Sequence, residues 1–538
     1  MEKEEPRATF DVDKVIEFIG PLGKWQFIQA IFLFSLGATT GLCSVSFAFT
    51  GFMPNYRCFI PQCESQSASY DHINKTFIEK CSRIEFDGSS LMSCDDYLNV
   101  KLERSDNAWI AKCSREEIIF DRSIVKTSIP EDFDMICENS YQKSIFSSLY
   151  TLGLFLGSFI FGFISDCFGR KRAISISIFL IYGCGLIMTV IKNKPSLAIF
   201  RVIYGIGAKG CVMVAYVLAA ESTTPRHKIL LMFIAAIGYH VGEVIFPVEA
   251  YFVREWIPLQ LISHGPLILL FISSLFVAES PRWLLSNGQC DKAIKVMEKR
   301  AAVDNIKDIP DEYFEPTKEA ISSKCLGFLE SLEGIVKHQK LLVRSLIMSL
   351  LWFSASLGFY GTLYASTSLS GDIHLNFILA MFSGVPGNLL YLILPDKIGR
   401  KGTFILVEIV LGVCCIGTGI LLHFDAYMPL QIILSMLGRF VAGVAVKMCY
   451  LCTAELYPTP IRNTAIGIGS AVGGVGAIIG FLLEILGDFW ISFPVMIVGI
   501  CNLFTSVIVL FLPETKGIKL PETLDDVKNY DIKSAQGA

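Results

Sequence analysis

Apolar stretches long enough to cross a lipid bilayer recur along this chain of 538 residues. A membrane helix needs roughly 20 apolar residues, and twelve stretches approach that length. They cover 25–50, 142–163, 173–191, 197–220, 229–252, 257–277, 345–366, 373–394, 403–422, 430–454, 464–486 and 491–512. Backbone groups in lipid must bond within the chain, and the sequence lacks the short alternating segments of a barrel, so we predict helices. Charged residues are only 18% of the chain, against roughly 25% in soluble domains, which fits an all-α membrane protein.

The two groups of six stretches carry similar sequences at corresponding places. Residues 162–172 contain Ser-Asp-Cys-Phe-Gly-Arg-Lys-Arg after the second stretch, and residues 396–401 read Asp-Lys-Ile-Gly-Arg-Lys after the eighth. A repeat at this distance between apolar stretches indicates a duplicated bundle of membrane helices. We therefore predict two six-helix bundles built as in an alternating-access transporter.

Basic residues assign a side to each loop. Lys and Arg collect in the loops after spans two, four, eight and ten, and such residues favour the cytoplasmic side. We therefore expect a plasma-membrane protein with both ends in the cytoplasm, and the start of the chain shows no signal-peptide pattern. The predicted units are a cytoplasmic N-terminus (1–24), an N-terminal bundle (25–278) containing a large outer loop (53–140), a cytoplasmic helical linker (279–344), a C-terminal bundle (345–512) and a cytoplasmic tail (513–538).

The outer loop is too long for a plain connector. Its even number of cysteines, in an oxidising compartment, predicts three disulfides whose pairing the sequence leaves open. Asn74 begins an Asn-Lys-Thr sequon, so we expect it to be glycosylated, although a chance match is the alternative. The cysteines are Cys58, Cys63, Cys81, Cys94, Cys113 and Cys137.

Charged residues recur at the cytoplasmic ends of the spans in both halves. The spacing from Glu221 to Glu279 is nearly that from Glu455 to Glu514, so each half supplies acids and bases at matching places. We predict that these residues form a latch, with pairs across the two halves that break when one half rocks. Membrane anchoring by the basic residues alone is the alternative, but it does not explain the matched acids. The predicted latch residues are Asp166, Arg170, Glu221, Arg226, Glu279, Arg282, Asp396, Arg400, Glu455, Arg462 and Glu514.

A repeated motif also places charge inside the membrane. Residues 201–209 in the fourth span and 439–447 in the tenth both read Arg-x-x-x-Gly-x-x-x-Lys, and the spacing of four keeps each trio on one helix face. Lys209 lies near the midplane, where a lysine costs ~2.5 kcal/mol or more unless it meets water, a carboxylate or a substrate. We predict that Lys209 and Lys447 face one central cavity. A structural Lys–Glu pair is the alternative.

Acids and aromatic residues complete the predicted site. Glu243 lies deep in span five and is the expected partner of the lysines, whereas Glu249 and Glu484 are expected near the outer mouth. Glu408 is expected near the cytoplasmic side, and His240 as a packing residue. Aromatic rings suit flat or cationic solutes, although each ring alone fits plain packing as well. The predicted substrate-binding residues are Lys209, Tyr216, Tyr239, Glu243, Trp352, Phe359, Tyr360 and Lys447.

Several motifs together resemble one transporter family. They are Gly-Pro-Leu-Gly-Lys-Trp-Gln before span one, the six-cysteine loop, the two Gly-Arg-Lys loops, Glu-Ser-Pro-Arg-Trp-Leu from 279, Ala-Glu-Leu-Tyr-Pro-Thr from 454 and Leu-Pro-Glu-Thr-Lys-Gly from 512. The chain is similar to the organic cation/anion/carnitine transporters of the major facilitator superfamily over nearly its whole length. The resemblance implies the major facilitator fold and polyspecific transport of small organic ions by uniport, exchange or ion-coupled transport.

The resemblance leaves the sign of the substrate charge open. Lys209, Gly210 and Tyr216 match the family pattern. Gly474 and Gly384 stand where cation carriers of the family usually have acids, and anion and carnitine carriers usually have Arg at the position of Gly474. Organic cations, zwitterions such as carnitine, and organic anions therefore all remain expected substrates.

Other classes of function find little support in the sequence. The chain has no phosphate-binding Gly-x-x-x-x-Gly-Lys-Ser/Thr loop and no nucleophile–base constellation, so we expect neither an ATP-driven pump nor an enzyme. No metal-ligand spacing appears, and we expect no cofactor and no nucleic-acid partner. The expected partners are a small organic ion and the lipid bilayer, with a coupling ion and the oligomeric state left open. A transporter-like receptor with little or no flux is the alternative function, and a channel is a weaker one.

Overall fold

The computed structural model describes residues 10, 12–20, 23–60, 63–64, 70, 81–86, 108–224, 227–306, 309–310, 313, 336–337, 339–365, 372–457, 459–487 and 489–516. Within them the chain is almost entirely helical. The helices are α1 (Val12–Ile19), α2 (Lys24–Thr50), α3 (Ile129–Asp132), α4 (Tyr141–Phe168), α5 (Arg170–Ile187), α6 (Lys194–Glu221), α7 (Lys228–Phe252), α8 (Trp256–His264), α9 (Leu267–Ser274), α10 (Pro281–Ser286), α11 (Cys290–Val303), α12 (Gln339–Ala365), α13 (Ile373–Phe382), α14 (Gly384–Ile398), α15 (Arg400–His423), α16 (Met428–Leu456), α17 (Thr459–Leu482), α18 (Glu484–Gly487) and α19 (Phe493–Ile508).

Eleven helical segments of the described chain are long and apolar enough to cross a membrane. Three of them contain two helices each: α8 and α9 form the sixth predicted span, α13 and α14 the eighth, and α17 and α18 the eleventh. The remaining predicted span is α5, which begins with three basic residues and lies between two of the eleven. Two bundles of membrane helices, as the sequence predicts, are therefore confirmed.

The same pairs of helices pack against each other in both halves. Helices α2 and α7 pair in the first half as α12 and α17 do in the second, and α5 lies against α6 and α9 as α15 lies against α16 and α19. Each half has its own apolar core. The duplication read from the charged motifs thus extends to the packing.

Outside the bundles the structure has two small β-ladders and a layer of short helices. Strand β1 (Tyr56–Cys58) pairs antiparallel with β4 (Ile118–Phe120), and β2 (Ser82–Phe86) pairs antiparallel with β3 (Ala108–Lys112). Helix α1 packs its apolar face on α10 and α11. These two layers lie at opposite ends of the bundles.

Candidate functional site

A charged cluster joins three helices at one end of the first half. Arg170, at the start of α5, lies 2.9 Å from Glu221 at the end of α6 and 3.1 Å from Asp166. Its backbone N–H donates to Glu279 at 2.8 Å, so this carboxylate caps the positive end of α5. Gly169 permits the turn, because its φ is +94° and a Cβ there would clash with Glu279.

The second half repeats the cluster. Arg400 lies 2.8 Å from Asp396 and 3.3 Å from Glu455, and its backbone N–H donates to Glu514 at 2.9 Å. Gly399 has a φ of +87° and faces Glu514 in the same way. Equivalent contacts in both halves explain why these residue types recur at matched spacing.

These contacts fall within each half. The latch hypothesis places pairs across the two halves, whereas every contact just described joins helices of one half. Arg282 lies 2.6 Å from Asp13 of α1 and also donates to the carbonyl of Thr223. Arg226 and the side chain of Arg462 lie outside the described residues. The clusters therefore hold together the helix ends of each half in this conformation.

The linker helix α11 is fixed to the same end of the first half. Arg300 is 2% exposed and donates to the backbone carbonyl of Ser222 at 3.0 Å, just past the end of α6. Burial lowers the pKa of Arg300 to about 10, and the neighbouring Asp304 opposes that shift. The guanidinium therefore stays charged near neutral pH and ties the linker to the bundle.

A buried ion pair connects the two halves inside the membrane. Arg439 of α16 is 3% exposed and lies 2.7 Å from Glu243 of α7, which is fully buried. Glu243 also bonds to Nδ1 of His240 at 2.8 Å, and Arg439 donates to the carbonyl of Phe359 at 2.7 Å. The sequence predicts Lys as the partner of Glu243, but in the structure Arg439 makes that contact. His240, expected as a packing residue, takes part in the network.

The two predicted lysines have different surroundings. Lys447 donates a hydrogen bond to the amide oxygen of Asn388 on α14. Lys209 is partly buried on α6 beside Gly157 of α4, and its ammonium has no hydrogen-bond or ion-pair partner among the described side chains. Neither lysine therefore contacts a carboxylate directly within the described part of the chain.

Two of the predicted aromatic residues line a pocket in the first half, between α2, α6 and α7. Tyr216 and Tyr239 contribute rings to its wall, and Thr40 a hydroxyl. Its lining residues are Leu36, Gly37, Thr40, Val212, Ala215, Tyr216, Ala235 and Tyr239. The structure thus brings together two predicted residues that are distant in sequence.

The aromatic residues of the second half lie near Arg439 or deeper in its core. The guanidinium of Arg439 lies 3.8 Å from the ring centroid of Phe359, a cation–π contact. The ring centroid of the next residue, Tyr360, lies 5.4 Å from that of Phe481. Trp352 is 2% exposed and donates its indole N–H to Thr453 at 3.1 Å. Phe359 therefore positions the guanidinium, whereas Trp352 is mostly a core residue in this conformation.

Further charged groups complete the intramembrane set. Glu249 accepts a hydrogen bond from Ser263, and Glu484 lies 2.6 Å from Lys143 of α4. Glu408 is fully buried among the helices of the second half, where Thr505 donates to it at 2.9 Å. Its described partners are thus core side chains and not members of the charged clusters, although the sequence predicts Glu408 near the cytoplasmic side.

Arg201, the first residue of the repeated motif, is not among the substrate-binding residues predicted from the sequence. Its guanidinium lies 4.5 Å from the ring centroid of Phe47 and 5.3 Å from that of Tyr150. The neighbouring Tyr204 hydroxyl lies 2.8 Å from His264. The correspondence of Arg201 with Arg439 in the repeated motif could have identified Arg201 from the sequence. Its aromatic surroundings could not be predicted, because they depend on the packing of three helices.

The two halves pack together at the ends that carry the outer loop. An apolar cluster there includes residues of α2, α7, α12 and α13, and the Lys143–Glu484 pair joins α4 to α18. The α4–α17 contact reaches inward to Phe155 and Gly474, whereas a Cβ at Gly443 or Gly467 would meet open space. The central space is thus closed on the loop side.

The outer loop is cross-linked by disulfides. Cys58 pairs with Cys113 and Cys81 with Cys137, and Cys63 is also disulfide-bonded. Cys94 and the sequon at Asn74 lie outside the described residues. The two described pairs tie the β-ladders to each other and to the segment just before α4.

Several known proteins are similar to this sequence over nearly its whole length. Solute carrier family 22 member 2 of Rattus norvegicus is 29% identical over 96% of this chain and 95% of its own length. Organic cation/carnitine transporter 2 of Mus musculus is 26% identical over 97% of this chain and 96% of its own. The predicted resemblance to organic cation/anion/carnitine transporters is confirmed.

Solved structures and a family model agree on the fold. The inward-open xylose transporter XylE from E. coli has a TM-score of 0.61 at 17% identity, covering 96% of this chain and 99% of that one. A D-xylose-proton symporter has a TM-score of 0.56 at 16% identity, covering 92% and 99%. The model for the sugar (and other) transporter family matches residues 87–525. The chain is therefore a multi-pass membrane transporter, not an enzyme, and it belongs to the sugar (and other) transporter family of the major facilitator superfamily.

Proposed function

We propose that this protein carries small organic ions across the plasma membrane by alternating access. Two relatives have names that refer to organic cations and carnitine or to solute carriage, and their similarity extends over nearly the whole chain. Both ends of the chain are then cytoplasmic, as the basic loops favour. The division into two bundles, an outer loop, a linker and a tail at the boundaries given above belongs to the same proposal.

The pair of equivalent helices α6 and α16 is the observation that carries this proposal. Each helix brings an Arg and a Lys of the repeated motif into the membrane, one from each half of the molecule. Intramembrane charge is unfavourable unless it serves binding or pairing. A site built at the junction of two repeats is the usual place for a transported solute.

Movement of the halves is supported by how their contacts are distributed. The charged clusters at the cytoplasmic ends connect helices within a half, so each half can move as one body. The Arg439–Glu243 and Lys143–Glu484 pairs connect the halves. We propose that this conformation exposes the site to the cytoplasm, and that breaking the pairs between the halves opens it to the outside.

Transport can be tested in proteoliposomes. The purified protein would be reconstituted and loaded with one unlabelled solute from a panel of a cation, an anion and a zwitterion, and uptake of labelled solute would be followed. A carrier should show saturable uptake that is accelerated by solute on the opposite side. Binding without flux would instead support the receptor, and flux without such acceleration would support a channel.

A further inference from the structure

We infer that the central site selects organic anions, namely a carboxylate or sulfonate attached to an aromatic body. This inference rests on the proposed transport function and concerns which substrate class the same site accepts. It follows from the balance of charge around the space between α6 and α16, from the direction in which two lysines lie, and from the rings beside them.

The charge balance is positive among the described residues. Glu243 is the acid that reaches this region, and it is already engaged by Arg439 at 2.7 Å and by His240 at 2.8 Å. An organic cation would have to compete with a guanidinium for that carboxylate. Because the two groups are 0% and 3% exposed, separating them would leave a buried charge without its partner, which is strongly unfavourable.

Two of the remaining positive charges, Lys447 and Lys209, are in direct contact with no carboxylate among the described residues. Lys447 is held by the neutral amide of Asn388, and Lys209 has no described polar partner. An amide positions an ammonium group but does not neutralise it. A bound anion would supply the missing charge, and hydrogen bonds between ionised groups are the stronger ones.

Both lysines lie on helix faces that border open space. Lys209 precedes Val212 and Tyr216 by three and seven residues, so it shares the face of α6 that lines the pocket. Lys447 follows Gly443, beside which the structure is open, and precedes Tyr450, which is 40% exposed. The two ammonium groups therefore approach the central space from opposite halves.

Aromatic rings beside the lysines suit the body of such a solute. Tyr216 lies two helical turns after Lys209 and lines the pocket together with Tyr239 of α7. Tyr450 lies one turn after Lys447, and its ring centroid is 4.5 Å from that of Trp352. Stacking on these rings would offset the loss of water around an aromatic group. An anionic end at the lysines and a flat end at the tyrosines would satisfy both features.

The test uses three solutes that share one hydrocarbon body. These are 2-phenylethanesulfonate, trimethyl(2-phenylethyl)ammonium and phenylalanine, an anion, a cation and a zwitterion, of which the first two keep their charge at every pH. Uptake of each would be measured in proteoliposomes containing the full chain. We expect saturable uptake of the sulfonate at a KM at least tenfold below that of the ammonium compound. Uptake of the ammonium compound with no sulfonate uptake would overturn the inference and leave the proposed transport function intact.

Charge-removing variants test whether the lysines are responsible. Lys209→Gln and Lys447→Gln should each raise the KM for the sulfonate roughly ten- to hundredfold, the loss expected for one charged hydrogen bond. Neither change should raise the KM for the ammonium compound. Lys292→Gln removes one positive charge from an exposed position on the linker helix and serves as the matched control. An unchanged sulfonate KM in both lysine variants, with equal amounts of protein in the proteoliposomes, would also overturn the inference. Absence of flux for all three solutes in the unaltered protein would contradict the transport proposal itself.

Discussion

Removal of the Glu243 charge should open the outer side of the protein. Glu243 belongs to the first half and Arg439 to the second, so their buried contact stabilises only conformations in which the halves meet there. Breaking such a pair costs ~3–5 kcal/mol in a closed interior. Part of that cost disappears when water reaches Arg439 in the opened state. We therefore expect Glu243→Gln to shift the equilibrium by ~1.5–3 kcal/mol, or about ten- to hundredfold.

Labelling of a pocket cysteine from outside would measure this shift. Thr40 lines the pocket and is 3% exposed, so a Thr40→Cys variant on intact cells should react slowly with an impermeant thiol reagent. Adding Glu243→Gln should raise the labelling rate at least tenfold. Glu249→Gln is the matched control, because it removes an acid from the same helix whose partner Ser263 belongs to the same half. Equal labelling rates in the two acid variants would refute the view that the Glu243 contact closes the outer side.

Three further predictions concern folding and processing. Cys58→Ser with Cys113→Ser should lower stability by about 2–5 kcal/mol and reduce surface expression, read as a lower melting temperature in detergent; an unchanged melting temperature would deny this disulfide a structural role. Gly169→Ala should destabilise by about 1–3 kcal/mol because its φ is positive, whereas Gly183→Ala, in open space on α5, should be neutral or stabilising; equal melting temperatures would contradict the strain argument. Asn74→Gln should abolish a glycosidase-sensitive shift in gel mobility, and a shift that persists would mean that another position is modified.

The spans and the duplication could be predicted from the sequence because both are local properties. Hydropathy over about 20 residues marks a membrane helix without knowledge of its neighbours. The residues of the charged clusters could also be predicted, since Arg170 and Arg400 recur with their acids at matched spacing. Helix starts with a positive φ at Gly169 and Gly399 follow from the same motif.

Partners inside the membrane could not be predicted in the same way. Which side chain meets Glu243 depends on the rotation of α7 and α16 and on how the two halves approach each other, and helical periodicity fixes neither. Trp352 illustrates the same limit, because an aromatic residue in a span can face a solute or pack against another helix. In the structure Trp352 packs against Gly469 of α17. Gly384 packs against the ring of His240, a contact between halves that no pattern within one span reveals.

The two halves share a scaffold but not the same intramembrane charges. Arg201 and Arg439 are equivalent, yet the first lies among aromatic rings and the second pairs with an acid of the opposite half. Counting back six residues from Glu484, as Glu243 precedes Glu249, places Ile478 where a second such acid would stand. Only the first half has an acid at this position, so among the described residues one ion pair crosses the centre and the closure that it stabilises is asymmetric. That asymmetry leaves the lysines of both halves without a direct carboxylate contact among the described residues, and it therefore links the preferred conformation of the empty protein to the sign of the solute it would bind.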